Sequence, residues 1–408
     1  MSAFHRRLGL GFLTGAALIA LAVPTFAANT VVTETATEAK ADQVVGAQSK
    51  GDNWTVQSPV HSDGFMHLFA LETPYGNYQV SGDKLLAERL NELHAVAVLE
   101  KMSKTKAFVD AAKEAGLAPL RFGRDLVTAP IETTGRLVSG VTHMFDKAGD
   151  EIDNHSASRD GFVESVVGIQ KAKRELAFSL GVDPYSTFPP LADGLEGVAR
   201  MMALGDISIS AAYAAVPGGA GIAVSATTTA TTLAQPLRDK SSAEIAATVR
   251  TQLEGLGVSK EEIKSFLTNV AYSPADELAI ADALVALKAK DSDDFIVRAA
   301  TAENVDVAKF QRYRVELMVK ENARLGTLTS FETVSGFAIN RDAKGNFVAV
   351  FPFDQVVWTE IASRSFAELS EDIAKLKPSA KPIFATTAQV SATAQAQLKA
   401  LGWQIVKL

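Results

Sequence analysis

His61, Asp63 and His67 place two imidazoles and a carboxylate within seven residues. Such a set could hold zinc, or could seat a general base beside the acid that orients it. These three are the candidate catalytic residues of the chain. Their spacing matches no ligand template, however, and on a strand His67 would share a face with Phe65 and Phe69. The expectation is therefore a set of packing histidines, with no metal and no cofactor. His94 lies beside an apolar helical stripe, His143 precedes Met144-Phe145, and His155 falls in a polar connection; none is expected to be a ligand.

Other chemistries are less well represented. The chain has no cysteine, which excludes disulfides, thiolate metal sites and thiol nucleophiles. No G-x-S-x-G occurs, and the glycines around Gly219 and Gly221 fail the dinucleotide pattern at Val224. Two acidic segments resemble calcium loops and fail on their residues. Asp291 to Asp294 runs into Phe295 and Ile296, so it reads as a helix N-terminus, where negative charge is favourable. Asn340 to Phe351 puts Lys344 at a ligand position and Phe351 in place of the bidentate glutamate, so it reads as a hairpin turn. Asp354, Glu360 and Arg364 near Trp358 would border a cleft at a sheet edge.

The elements that must position these residues follow from periodicity. Phe65, His67, Phe69 and Leu71 alternate, Thr73 to Asn77 supplies turn chemistry, and Tyr78 to Val80 resumes, which predicts a β-hairpin. Ser81-Gly82-Asp83 then opens a helix striped by Leu86, Leu90, Leu93 and Ala97. A long helix is spaced by Phe162, Val166, Ile169, Leu176 and Leu180. Further helices are predicted at about 241–256, 260–269, 275–290, 293–302 and 305–325. In the last of these, Lys309, Arg312, Glu316, Lys320 and Arg324 read as a solvated face. Beyond Ser330 come a hairpin around 340–346, a helix, the strand Pro382 to Ala385, a helix and the strand Trp403 to Val406, which imply a crossover and two parallel strands.

The fold class is thus α+β, predominantly α. A mainly helical domain with an N-terminal β-hairpin spans 54–329, and a small α/β module with a mixed sheet spans 330–408. Residues 28–53 are polar, lack aromatic residues, and read as a flexible tether. Residues 1–27 read as a signal peptide: His5, Arg6 and Arg7, an apolar run from Leu8 to Val23, then Thr25-Phe26-Ala27 as a peptidase site.

Cleavage near Ala27 would leave a periplasmic or secreted product, without a cysteine for lipid attachment. The net charge of -7, with both signs interspersed, gives no basic surface for nucleic acid. Ile207 to Leu237 carries no charge, and its small residues suit either a buried helical hairpin or membrane contact. The leading expectation is a non-enzymatic binding or scaffolding protein of the cell envelope, with another envelope protein as partner. The alternatives are an exported hydrolase with a site assembled from dispersed His, Asp and Glu residues, and a membrane-associating protein using residues 207–237.

Overall fold

In the computed structural model the described residues are 33–114, 122, 167–205, 207–214, 228–376 and 382–408, and they form a mixed α+β protein. The expected signal peptide, residues 28–32, His143, His155, Phe162, Val166 and the middle of the uncharged segment, 215–227, lie outside them.

The N-terminal sheet comprises β1 (Lys50–Gly51), β2 (Trp54–Val56), β3 (His61–Ser62), β4 (His67–Thr73) and β5 (Gly76–Ser81). β4 is its centre. It pairs antiparallel with β5 on one edge and with β2 and β3 on the other. The predicted hairpin is β4–β5. The Thr73 hydroxyl closes its turn by accepting from the Tyr75 N–H and donating to the Gly76 carbonyl, and Gly76 adopts a positive φ of 129°.

The polar segment expected to be a tether behaves differently from Thr33 onward. It carries α1 (Ala41–Val45), pairs β1 with β2, and bridges Ala39 to Val60. Glu34 is fixed at both ends: its N–H donates to the Trp358 carbonyl, and its carboxylate accepts from the Trp358 N–H and the Ser391 hydroxyl. Backbone hydrogen bonds to distant segments order this strap, which its own composition could not do.

After Gly82, α2 (Asp83–Ser103) and α3 (Lys106–Glu114) follow, then α4 (Val167–Leu180), α5 (Pro189–Leu204), α6 (Ile209–Ala214) and α7 (Thr228–Asp239). Next come α8 (Ser242–Gly255), α9 (Lys260–Leu267), α10 (Pro274–Leu287), α11 (Ser292–Ala300) and α12 (Val305–Glu321). Three of these open on capping boxes, Ser241 with Glu244, Ser259 with Glu262 and Ser273 with Asp276. Each reciprocal cap satisfies two orphan N–H groups, and loss of the capping hydroxyl would cost about 1 kcal/mol.

The C-terminal sheet runs β12-β10-β8-β7-β6, from β6 (Leu328–Val334), β7 (Phe337–Asp342), β8 (Phe347–Phe351), β10 (Ile383–Thr386) and β12 (Gln404–Lys407). β9 (Gln355–Val356) and β11 (Gln389–Val390) form a small parallel pair beside it. The helices α13 (Glu360–Lys375) and α14 (Ala392–Ala400) complete this part. β10 is parallel to both β8 and β12, as strand–helix–strand order predicts, whereas β6, β7 and β8 are antiparallel. The loop tested as a calcium site is the β7–β8 turn. There the Asp342 carboxylate accepts from the Lys344 and Asn346 N–H groups at 2.8 Å and Gly345 has φ 80°.

Two hydrophobic cores result. One joins α8–α12 to the whole C-terminal sheet, so residue 330 falls inside it; the other joins the N-terminal sheet to α2–α5. They interlock. Phe65 and Met66, from the turn before β4, enter the first core, where Phe65 stacks on Phe353 at 4.6 Å, and Tyr313 of α12 enters the second. The described arms of the uncharged segment are buried in part, with Ala212 in the second core and Leu233 and Leu237 in the first.

Charge crosses between the cores as well. Lys309 and Arg312 both meet Asp276, at 2.9 and 2.8 Å, and Lys309 also pairs with Glu88 of α2. Arg312 continues to Glu316 at 2.8 Å, and Glu316 to Lys84 at 3.3 Å. The face of α12 read as solvated is therefore mostly interior: Lys309 is 3% exposed, while Lys320 and Arg324 at its far end are open. The charges on α2 and α10 convert a polar stripe into a buried contact. Arg314, fully buried, plays another part: its guanidinium donates to the Val350 and Ala338 carbonyls on neighbouring strands and lies over Phe351. With no carboxylate in those contacts, burial pushes it down to about 9.

Candidate functional site

The three candidate residues diverge. His61 turns to the strap and pairs with Glu38 at 3.0 Å. Asp63 is buried in the turn before β4, where one carboxylate oxygen accepts from the Phe65 and Met66 N–H groups at 2.9 and 2.8 Å. That is the local Asx chemistry expected of a short acidic side chain in a turn. His67 alone reaches a cluster of titratable groups, and its companions are Asp83 and Asp354.

Local structure explains how those two arrive. Antiparallel pairing of Leu68 with Ser81 brings the end of β5 beside the start of β4, and the Gly82 N–H donates to the His67 carbonyl at 2.9 Å. Gly82, at φ 98°, turns the chain into α2, so Asp83 becomes its first residue. His67 Nδ1 then lies 2.7 Å from Asp83 Oδ1. Asp354 enters from the loop after β8, where its own N–H and that of Gln355 donate to the Phe65 carbonyl at 3.1 Å. Its Oδ2 accepts from the His67 N–H at 2.9 Å, and both its oxygens lie within 3.3 Å of the Asp83 N–H. One carboxylate thus satisfies the start of β4 and an orphan N–H at the start of α2, reaching both from a loop 271 residues after Asp83.

The electrostatics are unbalanced. His67 Nδ1 is 3.9 Å from Asp354 Oδ2, and ligand atoms of His67, Asp83 and Asp354 all lie within 4.8 Å of one another. Burial works against a charged imidazole, but the hydrogen bond and charge of Asp83, with the charges of Asp354 and Asp63, outweigh it and raise His67 above its usual value. Burial raises Asp354, and the Asp83 charge adds to this. The His67 and Asp83 N–H groups and the imidazole pull the other way, and Asp354 is pushed up to about 7. The cluster can exchange a proton near neutrality, clasp the two sheets, or offer one nitrogen and two oxygens to a cation.

Neither Asp83 nor Asp354 was tied to His67 by the sequence. Asp83 was legible only as a helix start and Asp354 only as a residue near Trp358. The other members of that group, Glu360 and Arg364, lie on α13. His94 behaves as a packing residue: its ring meets Trp54 edge-on at 4.7 Å and bonds the Leu90 carbonyl at 3.2 Å. Compared with known protein families, curated proteins and solved structures, the chain matches none.

Proposed function

We propose that this protein is exported to the cell envelope and acts there by binding or scaffolding another envelope protein, without turnover. The observation that carries the reading is the leader itself: a basic start, the apolar run Leu8 to Val23 and the small-residue site ending at Ala27. The non-enzymatic part draws on His61 and Asp63, whose polar atoms serve an ion pair and a turn. Among the described residues no helix is long and apolar enough to cross a membrane.

Expression with the native leader in a Gram-negative host, osmotic-shock fractionation and N-terminal sequencing test the export. A mature chain beginning at Ala28 in the periplasmic fraction is expected, with accumulation of precursor for Ala27→Arg. Full-length protein confined to the cytosol would overturn the export. Turnover of an ester, amide or glycoside panel that disappears in His67→Ala would overturn the non-enzymatic part.

A further inference from the structure

We infer that His67, Asp83 and Asp354 form a binding site for one divalent transition cation, with imidazole Nδ1 and one oxygen from each carboxylate as ligands. Around an ion with bonds of about 2.1 Å, neighbouring ligand atoms sit about 3.0–3.4 Å apart. The His67–Asp83 and His67–Asp354 separations, 2.7 and 3.9 Å, bracket that spacing. All three pairs of ligand atoms lie within 4.8 Å, so side-chain adjustments of about 1 Å would be needed to bring them to one ion.

Charge favours occupation. Two carboxylates face one imidazole, at 2.7 and 3.9 Å, so a divalent ion would add positive charge between them. The N–H groups that open α2 favour anions, so a cation here must draw on the two carboxylates, one of which already accepts from the first of those groups. Asp354 is 7% exposed and held by the His67 and Asp83 N–H groups, and the adjoining Phe353 is stacked on Phe65.

Backbone approaches closely on the remaining side: a Cβ on Gly82 would lie 2.6 Å from Met66 Cε and 3.7 Å from Asp354 Oδ2. Asp83 is 48% exposed and leaves one open side for entry and bound water. An imidazole with two hard oxygens suits zinc, cobalt, nickel or manganese better than calcium, and the absence of thiolate disfavours copper(I).

The test is titration of the full mature chain, stripped by chelator dialysis, with Co(II) followed by Zn(II), read by calorimetry and visible absorption. One equivalent of Co(II) with a d–d band, displaced by Zn(II), is expected. Asp83→Asn and His67→Gln should each weaken Co(II) binding about tenfold or more. The half-exposed Asp83→Asn variant should keep the unfolding midpoint of the metal-free parent, so it decides the matter even where an Asp354 variant does not fold. No saturable Co(II) binding, or equal affinity in the parent and Asp83→Asn, overturns the site.

Discussion

Two polar clusters that the described residues place between the cores differ in charge balance and in exposure. In the α2–α10–α12 network, Glu88, Asp276 and Glu316 are matched by Lys84, Lys309 and Arg312. Although burial favours the neutral acid, Lys309 and Arg312 hold Glu88 and Asp276 below the usual carboxylate range. In the His67 cluster two carboxylates share one imidazole, and the buried Asp354 is raised instead. Asp276 and Asp354 are both buried, although Asp83 is half-exposed. The number of cations within reach decides whether a carboxylate becomes a fixed structural anion or a group open to a proton or a metal.

The largest effect should come from unbalancing the balanced cluster. Lys309→Met leaves Glu88 and Asp276 buried without their shared cation and should cost about 3–5 kcal/mol in denaturant unfolding at pH 7. A loss below about 1 kcal/mol would mean that water or rearrangement replaces the ammonium, and the contrast between the clusters would fail. The unbalanced cluster should respond in the opposite sense when a cation is supplied. Zn(II) at about one hundred times its Kd should raise stability by about 2.7 kcal/mol in the parent and much less in His67→Gln.

A third effect concerns the rim of the network. Asp183, bonded to the Ser273 hydroxyl at 2.8 Å, is pushed up to about 6 by burial, with Lys309 lowering it and Asp276 raising it. Because this folded value exceeds the unfolded one, the folded state holds the extra proton between about pH 4 and 6. The contribution of Asp183 to stability is therefore present at low pH and lost as pH rises through that window, with a slope of at most about 1.4 kcal/mol per pH unit. Asp183→Asn should flatten this part of the pH–stability curve, and an unchanged curve would remove Asp183 from the account. The smallest effect belongs to Asp83→Asn in metal-free protein. It breaks a half-exposed pair with His67 and should change the unfolding free energy by about 0–1 kcal/mol.

Much of the local structure was legible. The caps at Ser241, Ser259 and Ser273, the Thr73–Gly76 turn, the Asp342 turn and the parallel β10–β12 pair all follow from residues near one another in sequence. The site was not legible in this way. His67 stood out as a histidine on an apolar strand face, but its carboxylate partners come from a helix start and from a loop 287 residues away. The α12 face was misread for the same reason: periodicity reports a charged stripe, while the carboxylate opposite Lys309 is Glu88, 221 residues earlier.

By itself, then, the sequence determined where the described helices begin, which turns close, and that no thiol or disulfide takes part. These depend on hydrogen bonds and side-chain preferences acting over a few residues. Only the tertiary structure decided that Thr33–Asn53 is pinned, that His61 and Asp63 separate from His67, and that Asp354 meets Asp83. Each of those outcomes depends on which distant groups share a buried volume, since there the strength of a charge or hydrogen bond is set by its neighbours.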